Sequence, residues 1–296
     1  MKICRFKRSA DDVVRVGTWA GETELFDLTS LGITAVEQLL EHEEITKMEF
    51  QTHLIGEIAK RSAKQQTERV SLSDILFCPP IERQEVWAAG VTYLRSKSAR
   101  MEESEFSATA YDRVYDAERP EIFFKSLGEK VSGHGESVGI RSDARWNVPE
   151  PELALVLNSR GILVGMTIGN DMSSRDLEGE NLLYLPQAKV YNRSCALGPC
   201  IKIGSRETAA RGWQIKITIE RNGAKVFTGE TSVDKIKRSF KELADFLFRC
   251  QSFPHGAVLL TGTGVVPPDT FTLNEGDIVE IEIDTIGTLR NPVVIV

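Results

Sequence analysis

The sequence lacks most features that mark secreted, membrane-spanning or disulfide-linked proteins. Its five cysteines are odd in number and scattered, and no two form a C-x-x-C pair, so we predict neither a disulfide framework nor a cysteine zinc site. The longest apolar runs, such as Leu153–Leu157, are far shorter than the roughly 18–20 residues that cross a bilayer. Charged residues interrupt the N-terminal segment, so no signal peptide is predicted and we expect a cytoplasmic protein.

An excess of basic residues is also missing. The chain has 36 Lys and Arg against 43 Asp and Glu, which gives a net charge of −7. A nucleic-acid groove and an anionic membrane surface both attract basic patches, so we expect neither as a partner. The length of 296 residues suffices for one large or two small domains without crosslinks. Small molecules and copies of the same chain are therefore the expected partners.

Hydrophobic patterns divide the chain near residue 78, where two consecutive prolines exclude a continuing helix. Before this point, short alternating strands and helical segments within Val36–Lys64 indicate a small α/β domain, residues 1–77. After it, many short strands separated by turn residues indicate a mostly β domain, residues 78–296, with one helix predicted over Ser232–Cys250. The predicted fold class is α+β.

Acidic residues mark the segment with the clearest chemistry. Glu150 and Glu152 lie two residues apart in a predicted strand, so alternation places both on one face, about 7 Å apart. From spacing alone, the pair is either a solvated strand face or a cation site. Asp171 adds a third acid in the segment Asn-Asp-Met-Ser-Ser-Arg-Asp, and no His or Cys lies nearby in sequence. Three oxygen ligands favour a hard divalent cation such as Mg²⁺ over zinc.

These acids belong to a longer series of motifs. In chain order the motifs are Glu150-Pro-Glu152-Leu-Ala, Asn170-Asp171-Met-Ser-Ser-Arg175-Asp176, Leu185-Pro-Gln-Ala-Lys189, Gly198-Pro199, Thr261-Gly-Thr263-Gly264 and Leu273-Asn-Glu-Gly-Asp-Ile278. With this series the chain resembles the fumarylacetoacetate hydrolase superfamily from about residue 85 to residue 296. The resemblance implies a catalytic domain built as a mixed β-sandwich roll. It also implies that Glu150, Glu152 and Asp171 bind Mg²⁺, with Mn²⁺ and Ca²⁺ as alternatives, and that Lys189 and Thr263 contact the substrate.

Two further stretches separate the branches of this superfamily. Members that hydrolyse acylpyruvates carry an Asn-Tyr-x-x-His-x-x-Glu motif, whose His and Glu activate the attacking water. The equivalent stretch here keeps Tyr93 but has Ser96 and Ala99 in place of the His and the Glu. The segments Tyr115–Lys125 and Leu177–Gln187 are instead similar to the sugar-acid dehydratase branch. This similarity implies a lyase of pentose catabolism that converts a 2-dehydro-3-deoxy-pentonate, a 2-oxo acid, to 2,5-dioxopentanoate.

Several residues are assigned individual roles in this reaction. We expect Lys189 to remove the C3 proton of the substrate or to stabilise the enolate, since an amine that is partly desolvated beside a cation has a lowered pKa. His134, in a Gly-His-Gly-Glu turn, is a candidate catalytic residue, with hydrogen bonding to backbone carbonyls as the alternative. Tyr93 and Arg95 are candidate substrate-binding residues, and the charged segment Arg95–Arg119 is a candidate lid. The pairing of catalytic domains in the superfamily implies a homodimer or a homotetramer.

Two other functions stay open from the sequence alone. One is a C–C bond hydrolase or decarboxylase of the same superfamily, acting on an acylpyruvate or another 2,4-dioxo acid. The other is a non-catalytic protein that binds a 2-oxo acid, although the presence of the three acids and of Lys189 argues against it.

Overall fold

The computed structural model describes residues 1–64, 67–93 and 114–296, and strands predominate in it. The strands are, in chain order, β1 (Lys2–Arg8), β2 (Arg15–Trp19), β3 (Glu24–Asp27), β4 (Arg69–Ser71), β5 (Ile75–Cys78), β6 (Glu85–Gly90), β7 (Glu121–Ser126), β8 (Val138–Ile140), β9 (Asn147–Val148), β10 (Pro151–Leu157), β11 (Leu163–Asp171), β12 (Ser173–Ser174), β13 (Cys195–Ile203), β14 (Gln214–Arg221), β15 (Ala224–Ser232), β16 (Ala257–Leu260), β17 (Ile278–Ile283) and β18 (Gly287–Ile295). The α-helices are α1 (Glu37–Leu40), α2 (Met48–Ala63), α3 (Arg175–Glu180), α4 (Leu185–Lys189), α5 (Glu207–Ala210) and α6 (Phe240–Leu247). This content confirms the predicted mostly β, α+β fold class.

The largest element of the fold is an eleven-stranded mixed sheet. Its strand order is β4-β3-β2-β1-β13-β11-β10-β16-β6-β7, and β5 also pairs with β1. Neighbouring strands are antiparallel except β16 and β6, which run parallel. Because Lys2 and Ile3 of β1 pair with β13, the N-terminal strands and the later strands form one continuous sheet.

Alternation along the strands gives this sheet two apolar faces. On one face, Leu155 of β10 packs in a core with Ile217 of the second sheet, whose five strands are ordered β15-β14-β17-β18-β8. On the other face, Val156 packs in a core with Ile58 of α2. Side chains two residues apart in a strand share a face. Glu152 therefore lies on the face of Val156, as the sequence pattern predicts.

The helix predicted over Ser232–Cys250 is shorter in the structure. Residues Val233–Lys235 form a 3₁₀ turn, and α6 begins only after Ser239, whose hydroxyl caps its first turn. Arg211 donates to the carbonyl oxygen of Arg238 at 2.7 Å. The helix is interrupted because the backbone of Ile236 and of Ser239 is extended, with ψ of 118° and 152°.

The predicted division into residues 1–77 and 78–296 falls at the end of β5. Strands from both parts share the large sheet. The division into two domains stays a prediction. Within residues 1–64, 67–93 and 114–296, none of the helices has both the length and the apolar character that a membrane span requires.

Candidate active site

Three carboxylates that are separated in sequence meet at one end of the large sheet. Glu150 immediately precedes β10, Glu152 lies within it, and Asp171 ends the antiparallel strand β11. The backbone amide of Asp171 donates to the carbonyl oxygen of Glu150 at 3.0 Å, so strand pairing places these two acids side by side. One oxygen from each of the three carboxylates lies within 4.8 Å of the others, and all three residues are buried. Hard divalent cations favour such an oxygen set.

Basic side chains surround the acids. Lys189, the last residue of α4, places its Nζ 2.9 Å from Glu150 and 3.0 Å from Asp171. Arg175, the first residue of α3, donates to Glu150 at 2.6 Å. Lys125 of β7 forms an ion pair with Asp171 at 2.5 Å. Among the described residues, three buried acids are thus matched by three basic groups, which offsets much of the cost of burying the charges.

Burial also changes the protonation equilibria of the cluster. Burial, followed by the charges of Asp171 and Glu150, raises the pKa of the Glu152 carboxyl well above its usual range. A hydrogen bond from the backbone amide of Gly262, at 2.5 Å, opposes this rise. Burial lowers the pKa of Lys125, while the charge of Asp171 opposes the change. A cation among the carboxylates favours their ionised forms, so the cluster is arranged to gain from binding one.

A narrow pocket opens onto these groups. Phe123 of β7 and the turn Gly262-Thr263, which follows β16, complete its walls. Gly262 has a φ of 89°, a left-handed conformation that favours glycine, and a Cβ at this position would collide with Oγ1 of Thr92. Glycine thus allows the close approach of the turn to β6 and directs its amide to Glu152.

The structure brings most of the predicted site residues together. Those that line the pocket are Glu150, Glu152, Asp171, Lys189 and Thr263. Tyr93 is not among the described lining residues, and its ring packs against Gly264. Its hydroxyl is buried with no hydrogen-bond partner in the described part of the chain, and burial raises its pKa. Arg95 lies outside the described residues, as does most of the predicted lid, residues 95–119.

His134 lies away from the acidic cluster. Its Nδ1 is 3.0 Å from the carbonyl oxygen of Thr288, and its ring meets the ring of Phe77 edge to face. Burial lowers the pKa of the imidazole. None of these residues lines the pocket. The contact with Thr288 agrees with the alternative of hydrogen bonding to backbone carbonyls, and the catalytic role of His134 stays a prediction.

The sequence motifs give no role to Lys125 and do not indicate the contact between Arg175 and Glu150. A signal for Lys125 is present in the sequence, because it is the one charged residue in the run Ile122–Ser126. A charged side chain in a buried strand requires a partner. The identity of that partner depends on strand order, so it emerges only from the tertiary structure.

Comparison with known proteins gives the same family as the motifs. The model described as fumarylacetoacetate (FAA) hydrolase C-terminal matches residues 85–294. The chain is 45% identical over 238 residues to the probable 2-keto-3-deoxyxylonate dehydratase of Haloferax volcanii, covering 79% of this chain and 82% of that protein. It is 43% identical over 225 residues to the 2-dehydro-3-deoxy-D-arabinonate dehydratase of Saccharolobus solfataricus, covering 75% and 76%.

Solved structures extend the similarity to the whole chain. A 2-keto-3-deoxy-D-arabinonate dehydratase complexed with magnesium and 2,5-dioxopentanoate has a TM-score of 0.77 to this structure at 33% identity, covering 100% of this chain and 99% of that one. The predicted superfamily is therefore confirmed by sequence and by fold. On the family match over residues 85–294 and the shared motifs, the chain belongs to the fumarylacetoacetate hydrolase family.

Proposed function

We propose that the protein catalyses the Mg²⁺-dependent dehydration of a 2-dehydro-3-deoxy-pentonate to 2,5-dioxopentanoate. The observation that carries this proposal is the convergence of Glu150, Glu152 and Asp171 within 4.8 Å, beside the Nζ of Lys189. The similarity to two dehydratases of such sugar acids supports the reaction. The magnesium in the related structure supports the choice of metal.

The residues of the cluster fit a hard divalent cation. Glu150, Glu152 and Asp171 offer oxygen ligands, and the raised pKa of Glu152 reflects its burial and then the charges of the other two acids. When bound there, Mg²⁺ supplies Lewis acidity toward the carbonyl oxygen of a 2-oxo acid. The same oxygen set suits Mn²⁺ and Ca²⁺, which stay alternatives.

Lys189 is the proposed catalytic residue. Dehydration transfers the C3 proton to a base and leaves an enolate, which expels the C4 hydroxyl; the hydroxyl takes up a proton and leaves as water. The C3–C4 double bond then rearranges, as the C5 and hydroxyl protons move to C3 and C4, to give the C5 aldehyde of 2,5-dioxopentanoate. The Nζ of Lys189 contacts Glu150, Asp171 and, at 2.5 Å, the hydroxyl of Ser173. Three acceptors around one nitrogen match the three donors of an ammonium group. Of the two roles expected for Lys189, this arrangement supports stabilisation of the enolate charge.

Other pocket residues are proposed to bind the substrate and to exclude water. The hydroxyl of Thr263 lies at the pocket wall, within 3.0 Å of the carbonyl oxygen of Val265, and we propose that it contacts the substrate carboxylate. The ring centroid of Phe123 is 5.8 Å from the Nζ of Lys189. An apolar wall beside the ammonium removes water from the site and strengthens the electrostatic interactions within it.

The direct test follows 2,5-dioxopentanoate through a coupled NADP-dependent aldehyde dehydrogenase, with both C4 epimers of 2-dehydro-3-deoxy-pentonate as substrates. We expect turnover that is lost with EDTA, returns with excess Mg²⁺ and falls at least about 10²-fold in Glu150→Gln, because one ligand charge is removed. Glu280→Gln, the same substitution at an exposed residue of β17, should behave as the unmutated protein. Absence of dehydration together with pyruvate release from an acylpyruvate would contradict the proposal and support the C–C bond hydrolase.

The predicted homodimer or homotetramer and the predicted cytoplasmic location rest on the sequence and stay proposals. Sedimentation velocity on the purified protein distinguishes a monomer from either oligomer.

A further inference from the structure

Lys125 lies behind the acidic cluster and has no role in the reaction described above. It belongs to β7 and is fully buried. Its Nζ is 2.5 Å from Oδ1 of Asp171, 2.9 Å from the carbonyl oxygen of Met172 and 2.5 Å from the carbonyl oxygen of Lys189. An ammonium group has three donors and no acceptor, so these three partners satisfy it.

The partners of Lys125 belong to the two segments that carry reactive groups. Asp171 and Met172 lie at the end of β11, and Lys189 ends α4. The strand β7 is separated from β11 in the sheet by β10, β16 and β6. One nitrogen atom of β7 therefore joins the strand end that carries a proposed metal ligand to the helix end that carries the proposed catalytic lysine.

The same contact distinguishes the two oxygens of Asp171. Lys125 lies at Oδ1, whereas Lys189 donates to Oδ2 at 3.0 Å and also to Glu150 at 2.9 Å. Rotation of the carboxylate out of its present plane would weaken both interactions. Ion pairs with desolvated, well-oriented partners restrict such rotation.

We propose that Lys125 is a positioning residue of this site. It holds the carboxylate of Asp171 in one orientation toward the proposed cation, and it holds the backbone of Lys189 so that the Nζ of that residue stays between Glu150 and Asp171. Lys125 is not among the described residues that line the pocket, so it acts through Asp171 and Lys189 rather than on the substrate. This inference rests on the proposed function.

The test replaces Lys125 with Met, which has similar length and no charge. Mn²⁺ alone is titrated into the protein by calorimetry, and kcat and KM are measured at saturating Mg²⁺. Removing a group that orients a metal ligand weakens metal binding or activity by about 10–100-fold. We expect a fall of this size in Mn²⁺ affinity and a fall in kcat that saturating Mg²⁺ does not restore. KM should change less, because Lys125 does not reach the pocket.

A matched control separates positioning from stability. Arg221 forms two contacts of 2.8 Å with the buried Asp277 in the second sheet, so Arg221→Met also removes an ion pair with a buried acid. The Arg221→Met variant should have a lower melting temperature than the unmutated protein, but the same Mn²⁺ affinity and kcat. Lys125→Arg is the second variant if Lys125→Met fails to fold. Its planar guanidinium keeps the charge but does not match the three acceptors, so a smaller loss of Mn²⁺ affinity is expected.

Different results would refute the proposed function and the positioning role of Lys125. Unmutated protein that neither binds Mn²⁺ nor dehydrates the sugar acid would refute the proposed function. Active, metal-binding unmutated protein together with a Lys125→Met variant of equal Mn²⁺ affinity and kcat would overturn only the role of Lys125. If Lys125→Met does not fold, a Lys125→Arg variant with the Mn²⁺ affinity of the unmutated protein would also overturn the role of Lys125.

Discussion

Burial of an ionisable side chain makes the stability of the folded protein depend on pH. His134 is half-buried between Phe77 and the carbonyl oxygen of Thr288, and burial lowers the pKa of its imidazole. In the unfolded chain the pKa of a histidine is about 6.5. The stability associated with the neutral ring is therefore fully present above about pH 6.5 and is lost as the pH falls through the lowered folded-state value.

Replacement of His134 by Gln should remove this dependence, because Gln can donate to Thr288 but does not titrate. Urea unfolding at about pH 7.5 and about pH 5.5 measures the effect. We expect the unmutated protein to lose more unfolding free energy on acidification than His134→Gln does. Turnover at neutral pH should persist in the variant. Loss of turnover with an intact fold would instead support the catalytic role that the sequence suggested.

At the scale of elements, the turn after β16 connects the sheet to the pocket. Thr261 binds the carbonyl oxygen of Leu153 through its amide at 3.0 Å and its hydroxyl at 2.8 Å. The next residue, Gly262, donates its amide to Glu152 at 2.5 Å. Consecutive residues of one turn thus hold the backbone of β10 and one of its carboxylates. The conformation of this turn should therefore affect metal binding.

Gly262→Ala tests this expectation. A residue other than glycine costs about 1–2 kcal/mol in the left-handed region, and the new Cβ would meet Thr92 and the carbonyl oxygen of Ala89, so the turn must shift. We expect Mn²⁺ affinity to fall about tenfold or more by calorimetry. Gly276→Ala is the matched control, since Gly276 has a φ of 84° and no atom within 4 Å of the added Cβ. Equal Mn²⁺ affinity in the two variants would show that the turn is not required.

At the scale of the whole molecule, the N-terminal residues contribute to the same core as the site. Ile3 and Val16 pack in one apolar cluster with Leu197 and Ile201 of β13, and β1 pairs with that strand. Fully burying a large aliphatic side chain contributes about 1.5–3 kcal/mol. A folded protein has only about 5–15 kcal/mol of net stability. Loss of several such contacts therefore exceeds what the remaining chain can tolerate.

We accordingly expect the fragment 78–296 not to fold by itself, and the full chain to unfold in one cooperative transition. Circular dichroism during thermal unfolding compares the two proteins, and Mn²⁺ titration shows whether the fragment keeps the site. A fragment that melts cooperatively and binds Mn²⁺ would contradict this expectation. It would mean that the predicted parts, residues 1–77 and 78–296, are independent domains.

The sequence by itself determined the features that depend on local spacing and on motif order. The period of a strand places Glu150 and Glu152 on one face and the leucines of β10 on the other, and the motifs identify the family. The helix over Ser232–Cys250 was predicted too long because its apolar stripe continues across Ile236 and Ser239, where the backbone is extended. Apolar periodicity indicates which face is buried, but not where the backbone leaves the helical conformation.

Only the tertiary structure decided which charges meet. Lys125 reaches Asp171 and the backbone of Lys189 because the chain brings the end of β7, the end of β11 and the end of α4 to one place. His134, which the sequence also offers as a candidate catalytic residue, lies beside the carbonyl oxygen of Thr288 instead. Contacts between residues far apart in sequence are set by strand order and packing, and no local pattern carries that information.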